Sequence, residues 1–207
     1  ANRIDGLIFS DMMYGGYILW NEYPRMRPFV DSRQINTFTY ETYLMTKSRP
    51  EQIWPQLEQQ FQIKTVLLDT NRTWNAKIIK YFLKHPDWSL IFVDGDCLLF
   101  VKKGAFKLPA DLENFQENLE QKNLRIDQIN AQIPEYPVKK NFLTPIREFF
   151  FPAYWYIDKE QTATNLFNLG FKGAALELMG ESLKTIDDIP SRKLLHQMRA
   201  NLKEKSR

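Results

Sequence analysis

Short apolar segments alternate with amphipathic helical segments over the first hundred residues, and this alternation restricts the fold more than any other feature. Residues 63–69 form a continuous apolar run, which is typical of a strand buried on both faces. Asp94 and Gly95 separate two further apolar runs, and this dipeptide favours a two-residue hairpin turn. We therefore expect an α/β fold with a small mixed sheet flanked by helices, in which the last strand is antiparallel.

The same pattern predicts where the individual elements begin and end. Asp11 fits the N-cap of the first helix. Gly15 and Gly16 inside that helix have two interpretations: they allow a neighbouring element to approach closely, or they mark an irregular helix start. Strands are expected at residues 7–9, 28–31, 63–69, 88–93 and 97–102, and helices at residues 12–22, 39–46, 50–61 and 75–84.

The composition changes after residue 104. Residues 109–132 are rich in Glu, Gln, Asn and Lys, with apolar residues at helical spacing, which predicts a helical arm. Three prolines between residues 134 and 145 then predict an extended connection. We expect an α/β domain at 1–104, an arm and linker at 105–145, and a helical region at 146–207.

The helical region begins with an aromatic run at residues 149–156, followed by small residues at regular positions. The aromatic run predicts either a plug between the sheet domain and the C-terminal helices or a patch at a membrane interface. Gly170, Ala174, Ala175 and Ser182 lie where two antiparallel helices would cross. Their spacing resembles one tetratricopeptide repeat, with helices before Gly170, at 171–184 and at 191–203, although a generic helical hairpin explains the same spacing.

Composition narrows the function classes. The net charge of +3 from 28 basic and 25 acidic residues is too small to indicate a nucleic-acid partner. Cys97 is the only cysteine, which excludes an intramolecular disulfide and a cysteine-rich metal site. No apolar run approaches the roughly 18 to 20 residues that cross a bilayer. The chain begins at Ala1, which fits an excised or processed product.

An aromatic segment with two glycines, Tyr-Gly-Gly-Tyr-Ile-Leu-Trp at 14–20, is followed by Tyr-Pro at 23–24 and by Pro-Phe-Val-Asp-Ser-Arg at 28–33. This order resembles the block after the last membrane span of many bacterial polytopic proteins related to the C-type glycosyltransferases, the dolichyl-phosphate-mannose protein mannosyltransferase-like group. Ser32 stands where that pattern usually has Gly, so the resemblance does not extend to a backbone conformation that requires glycine at this position. The resemblance extends more weakly to about Lys103 and covers about half the chain.

The resemblance implies a domain without an active centre, because the catalytic acid of that superfamily lies in a loop near the first membrane spans. It implies a non-catalytic, extracytoplasmic soluble domain that needs no cofactor, positions an acceptor or partner, and belongs to the remainder of a polytopic membrane protein. Whether that protein is an active transferase stays open. Under this hypothesis the binding residues are Asp31 and Arg33, with Tyr17, Trp20 and Tyr23 as neighbours suited to stack on a sugar ring.

Two other hypotheses remain. Asp31, Asp69 and Asp96 follow or border predicted strands, and carboxylates gathered at strand ends hold Mg²⁺ or Ca²⁺, which would suit a metal-dependent hydrolase or nuclease. A structural role is the alternative to metal binding for these carboxylates, since Asp31 has Arg33 beside it as an ion-pair partner. The other hypothesis is a protein-interaction module that binds a partner through the C-terminal helices and the aromatic run.

Overall fold

The computed structural model describes residues 4–33, 36–70, 72–120, 155–185 and 189–204. The chain forms two compact units, Ala1–Glu117 and Asn118–Arg207. The first unit therefore extends beyond the predicted boundary at residue 104. The predictions for residues 121–154, which include the proline-containing linker and most of the aromatic run, lie outside the described residues.

The first unit contains a five-stranded mixed sheet, which confirms the predicted fold class. β1 pairs in parallel with both β2 and β3, whereas β5 is antiparallel to both β3 and β4. The order across the sheet is β2-β1-β3-β5-β4. The hairpin between β4 and β5 turns at Asp94, whose Oδ1 accepts a hydrogen bond from the backbone N of Cys97 at 2.6 Å. The strands are β1 (Gly6–Ser10), β2 (Met26–Pro28), β3 (Thr65–Asp69), β4 (Trp88–Val93) and β5 (Cys97–Lys102).

β2 is the strand that differs most from its prediction, because it ends at Pro28 and leaves Asp31 in the following loop. Asp31 Oδ1 accepts a hydrogen bond from the backbone N of Arg33 at 2.9 Å. A carboxylate that binds the amide two residues ahead bends the chain in an Asx turn. This local bond therefore takes Asp31 out of the extended conformation that the apolar run predicted for it.

Helices cover both faces of the sheet. The connections from β1 to β2 and from β2 to β3 run in opposite directions across the sheet, so right-handed crossovers place α1 on one face and α2 and α3 on the other. α4 contacts both α2 and α3. The helices of this unit are α1 (Met12–Glu22), α2 (Thr37–Ser48), α3 (Pro50–Phe61), a 3₁₀ turn (Thr73–Asn75), α4 (Ala76–Lys84) and α5 (Ala110–Glu113), and α6 (Phe115–Glu120) continues past the end of the unit.

Trp54, a residue of α3, lies at the centre of the core between the sheet and the helices α2, α3 and α4. Its ring is fully buried, with centroids 5.4 Å from Phe9, 4.7 Å from Phe82 and 5.4 Å from Trp88. All three contacts are edge-to-face, the arrangement that the ring quadrupole favours. These contacts join β1, β4, α3 and α4 into one packed layer.

In the part of the second unit that the structure describes after residue 154, there are three helices, α7 (Trp155–Leu169), α8 (Lys172–Thr185) and α9 (Ile189–Glu204), as the sequence predicted. Gly170 ends α7 with φ of 100°, a left-handed conformation that favours glycine. The backbone N of Phe171 donates to Leu166 O at 2.9 Å, and the N of Gly170 donates to Phe167 O at 3.1 Å, which together form a Schellman motif. Within the described residues, no helix is both long and apolar enough to cross a membrane.

Candidate functional site

A buried polar cluster lies at the carboxyl ends of β1 and β3, where the connection after β1 leads to one side of the sheet, to β2, and the connection after β3 leads to the other side, to β4. Asp11 follows β1 directly, and the ladder of β3 ends at Asp69 beside it. Open α/β sheets bind their ligands at such a switch point, so this edge is the first place to look for a site. The Asp11 cluster consists of Asp11, Tyr43, Lys47 and Asn75.

The carboxylate of Asp11 is the centre of the cluster. Its Oδ1 accepts hydrogen bonds from Tyr43 Oη at 2.9 Å and from Lys47 Nζ. Its Oδ2 accepts from the backbone N of Asp69 at 2.6 Å and from Asn75 Nδ2 at 2.7 Å. Lys47 Nζ also donates to Tyr43 Oη at 2.7 Å. One carboxylate thus joins the ends of β1 and β3 to α2 and to the 3₁₀ turn.

The Asp11 cluster is closed to solvent. The side chains of Asp11 and Lys47 are only 6% and 4% exposed. Burial lowers the pKa of Lys47, and the hydrogen bond to Asp11 opposes that decrease. Burial and the charge of Asp11 raise the pKa of Tyr43. Because neither charged group reaches the surface, the hydrogen bonds of the cluster all serve to hold the strand ends to α2 and to the 3₁₀ turn.

The sequence patterns did not predict this cluster. Asp11 was expected only as a helix cap, but its side chain makes no capping hydrogen bond and bonds across the fold instead. Lys47 was not singled out because lysine is almost never fully buried unless it is paired. One signal was present: Asp11 directly follows β1 and Asn75 lies shortly after β3, on the edge where ligands of such sheets bind.

The second feature of this unit is an exposed surface made of Met13, Tyr17 and Trp20 on α1 and of Tyr23 directly after the helix, here called the α1 aromatic face. These side chains are 65%, 69%, 88% and 65% exposed. The first three stand at positions i, i+4 and i+7, which lie on one side of a helix. Tyr17 and Trp20, two of the five predicted binding residues, therefore share one side of α1, and Tyr23 is exposed directly after the helix ends.

Asp31 and Arg33, the other two predicted binding residues, form an exposed ion pair. Arg33 Nη2 lies 2.7 Å from Asp31 Oδ2, and Arg33 Nε lies 2.9 Å from Asp31 Oδ1. The hydrogen bonds from Arg33 lower the pKa of Asp31. The Arg33 side chain is 62% exposed and that of Asp31 is 17% exposed, so the pair is accessible from solvent.

The pair lies against the side of α1 opposite to the aromatic face. A Cβ added to Gly15 would lie 2.6 Å from both Asp31 Cβ and Val30 O, so α1 meets this loop at Gly15. Tyr17 and Trp20 are roughly half a turn from Gly15 around the helix. The structure therefore separates the predicted binding residues into two groups. It also confirms close approach as the role of Gly15.

Two of the three carboxylates of the metal hypothesis have local ion-pair partners, and Asp96 lies in the hairpin turn. Asp31 pairs with Arg33, and Asp69 Oδ2 lies 3.2 Å from Arg72 Nε. The backbone N of Asp96 donates to the carboxylate of Asp94 at 2.8 Å in the hairpin turn. Throughout the described residues, no group of three or more His, Cys, Asp or Glu side chains is placed to hold a metal ion.

Ser32, which stands where the glycosyltransferase-related pattern usually has glycine, does not have a positive φ. Gln62 is the only non-glycine residue with a positive φ in the described part of the chain. Ser32 therefore has a conformation that any residue can adopt, and the absence of glycine introduces no strain.

Comparison with known proteins finds no relative. No protein-family model, no curated protein and no solved structure matches this chain. The function is therefore inferred from the sequence order and from the geometry of the described residues.

Proposed function

We propose that this chain is the non-catalytic, extracytoplasmic domain of a bacterial polytopic membrane protein related to the C-type glycosyltransferases. In this proposal the domain holds an acceptor or partner at the membrane face, and the remainder of the membrane protein is its permanent partner. The observation that carries the proposal is the α1 aromatic face, with its exposed Tyr17, Trp20 and Tyr23.

The side chains of this face suit a surface that is partly wet and partly apolar. Tyrosine and tryptophan combine a large apolar ring with one polar group, and they are enriched at interfaces and at the membrane–water boundary. A contiguous exposed apolar patch marks a binding site more often than a single exposed side chain does. In the related pattern this block directly follows a membrane span, which would place α1 near the lipid headgroups.

The Asp11 cluster supports a non-catalytic role. The switch point of the sheet holds a sealed Asp11–Lys47 ion pair where an enzyme of this architecture would place accessible groups. All four hydrogen bonds that the Asp11 carboxylate accepts come from groups of the fold itself.

The alternative of an interaction module in the C-terminal helices has less support. It requires an exposed apolar groove between residues 166 and 183. Leu166, Leu178 and Met179 are instead fully buried. A partner at these helices would have to contact other side chains, so we keep the α1 aromatic face as the proposed contact surface.

The proposal is tested on the product of the intact gene. We expect several hydrophobic spans upstream of Ala1 and an acidic residue in the first extracytoplasmic loop. Phe38 on α2 is 66% exposed, so a Phe38→Cys variant should react with a membrane-impermeant maleimide in intact cells. Cys97 gives little background, because burial raises the pKa of its thiol.

An Ile18→Cys variant is the matched control, since Ile18 is buried and should react only after denaturation. A gene product without upstream spans would overturn the proposal. Labelling of the Phe38→Cys variant only after cell lysis would overturn the extracytoplasmic placement.

A further inference from the structure

An open groove of about 660 Å³ lies between α4 and the junction of α2 with α3. Its residues belong neither to the Asp11 cluster nor to the α1 aromatic face. The volume lies within the range of roughly 300 to 1,000 Å³ that is usual for small-molecule sites. The groove is therefore large enough for a ligand of more than a few atoms.

The groove has a strong excess of positive charge. Arg49, Lys77, Lys80 and Lys84 line it, and Glu51 is the only carboxylate among the lining residues. None of the four cations forms an ion pair within the described residues. Other basic side chains of this unit do so: Arg25, Arg33, Lys47, Arg72 and Lys102 each pair with a carboxylate. No carboxylate in the described part of the chain pairs with these four cations, so the groove carries an excess of positive charge.

The fold fixes how these cations are presented. Lys77, Lys80 and Lys84 stand at positions i, i+3 and i+7 of α4, so they share one side of that helix. Ile78 and Phe82 on the other side of α4 are buried in the core. Burial of this side fixes the orientation of α4, so the three lysines stay together on its exposed side. Arg49, at the junction of α2 with α3, lines the same groove.

We propose that this groove binds a phosphate-bearing ligand. Arg49 supplies a planar guanidinium that can bind two phosphate oxygens, and the lysines supply point charges around it. Tyr81 adds an aromatic wall, with its ring centroid 5.2 Å from that of His85. The tyrosine hydroxyl carries its proton at neutral pH and can donate it to a phosphate oxygen. This inference does not depend on the proposed membrane function.

The binding experiment uses two phosphate sources on the whole 207-residue chain. Inorganic pyrophosphate is titrated while the amide resonances of α4 are followed by NMR. In parallel, co-sedimentation is measured with vesicles of phosphatidylglycerol and with vesicles of phosphatidylcholine. The test variant is Lys77→Gln/Lys80→Gln. The control variant, Lys103→Gln/Lys107→Gln, changes the net charge equally at two exposed lysines outside the groove.

We expect saturable binding that falls roughly tenfold or more in the test variant and little in the control, since each charge-assisted contact contributes about that much. Both variants should melt at the wild-type temperature, because glutamine is a good helix former at Lys77 and Lys80 of α4, and Lys103 and Lys107 are exposed outside any helix. Pyrophosphate binding with this dependence identifies a free phosphate compound. Binding to phosphatidylglycerol vesicles alone identifies a lipid headgroup. Absence of both, or equal loss in the two variants, overturns the proposal.

Discussion

Two acid–base pairs follow neighbouring parallel strands of the same sheet, yet they differ in almost every physical respect. Asp11 follows β1 and pairs with Lys47, and Asp31 follows β2 and pairs with Arg33. The first pair is sealed and its carboxylate bonds to four groups from three further parts of the fold. The second pair is local and open to solvent. The position in the fold, and not the residue type, decides whether such a pair is structural.

The physical reason is hydration. A buried ion loses its hydration shell at a cost of several kcal/mol, which only a well-formed ion pair and further hydrogen bonds offset. An exposed pair keeps most of its water and is screened by salt, so it contributes little. The closed pair should therefore be intolerant of substitution, and the open pair should be free to serve a function.

The largest effect is expected for Asp11→Ala. This change leaves the buried ammonium of Lys47 without its counter-ion and should lower the free energy of unfolding by about 3–5 kcal/mol. Urea denaturation followed by circular dichroism measures it. The change Asp11→Ala combined with Lys47→Met should cost much less than the sum of the two single changes, since they act on one pair. Additive losses would show that the pair is not coupled.

The contact between α1 and the loop of Asp31 gives the next effect. Gly15→Ala should destabilise the domain by about 1–3 kcal/mol, because the new methyl group would overlap the backbone of that loop. Gly16→Ala is the matched control, since a Cβ there meets nothing within 4 Å. It should stabilise the helix by about 0.5–1 kcal/mol. Effects of equal sign at both glycines in thermal melts would contradict this packing.

Asp31→Asn should leave the melting temperature close to that of the wild type, because the pair with Arg33 is exposed. Under the proposed function, the same change should impair the full gene product if the pair serves binding. Thermal melting of the domain and a growth or activity assay of the full gene product measure the two effects. A large loss of thermal stability would instead make this pair structural like the first.

The smallest effect is a pH dependence at Asp31. Arg33 holds the pKa of Asp31 below the ordinary value of about 3.9. The pair therefore contributes stability at pH above that ordinary value, and this contribution is lost as the pH falls through the lower folded-state pKa. An NMR titration should show the midpoint of Asp31 moving upward in Arg33→Gln. An unchanged midpoint would mean that Arg33 does not set it.

Local sequence rules predicted most of the first unit. Pro50 at the start of α3 and Asp94 in the hairpin turn fix their element boundaries through backbone geometry that one or two residues determine. The end of β2 was predicted wrongly, because the Asx turn at Asp31 competes with the extended conformation. The bond between Asp11 and Lys47 spans 36 residues of sequence, and no local pattern encodes such a pairing.

The central claim, that the α1 aromatic face contacts the membrane-embedded remainder of the protein, is tested most directly by thiol protection. Trp20→Cys is labelled with a maleimide in the 207-residue chain and in the full gene product, with Phe38→Cys on the other side of the sheet as the reference. We predict fast labelling at both positions in the 207-residue chain and selective protection of position 20 in the full protein. Equal labelling rates at position 20 in the two proteins would contradict the claim.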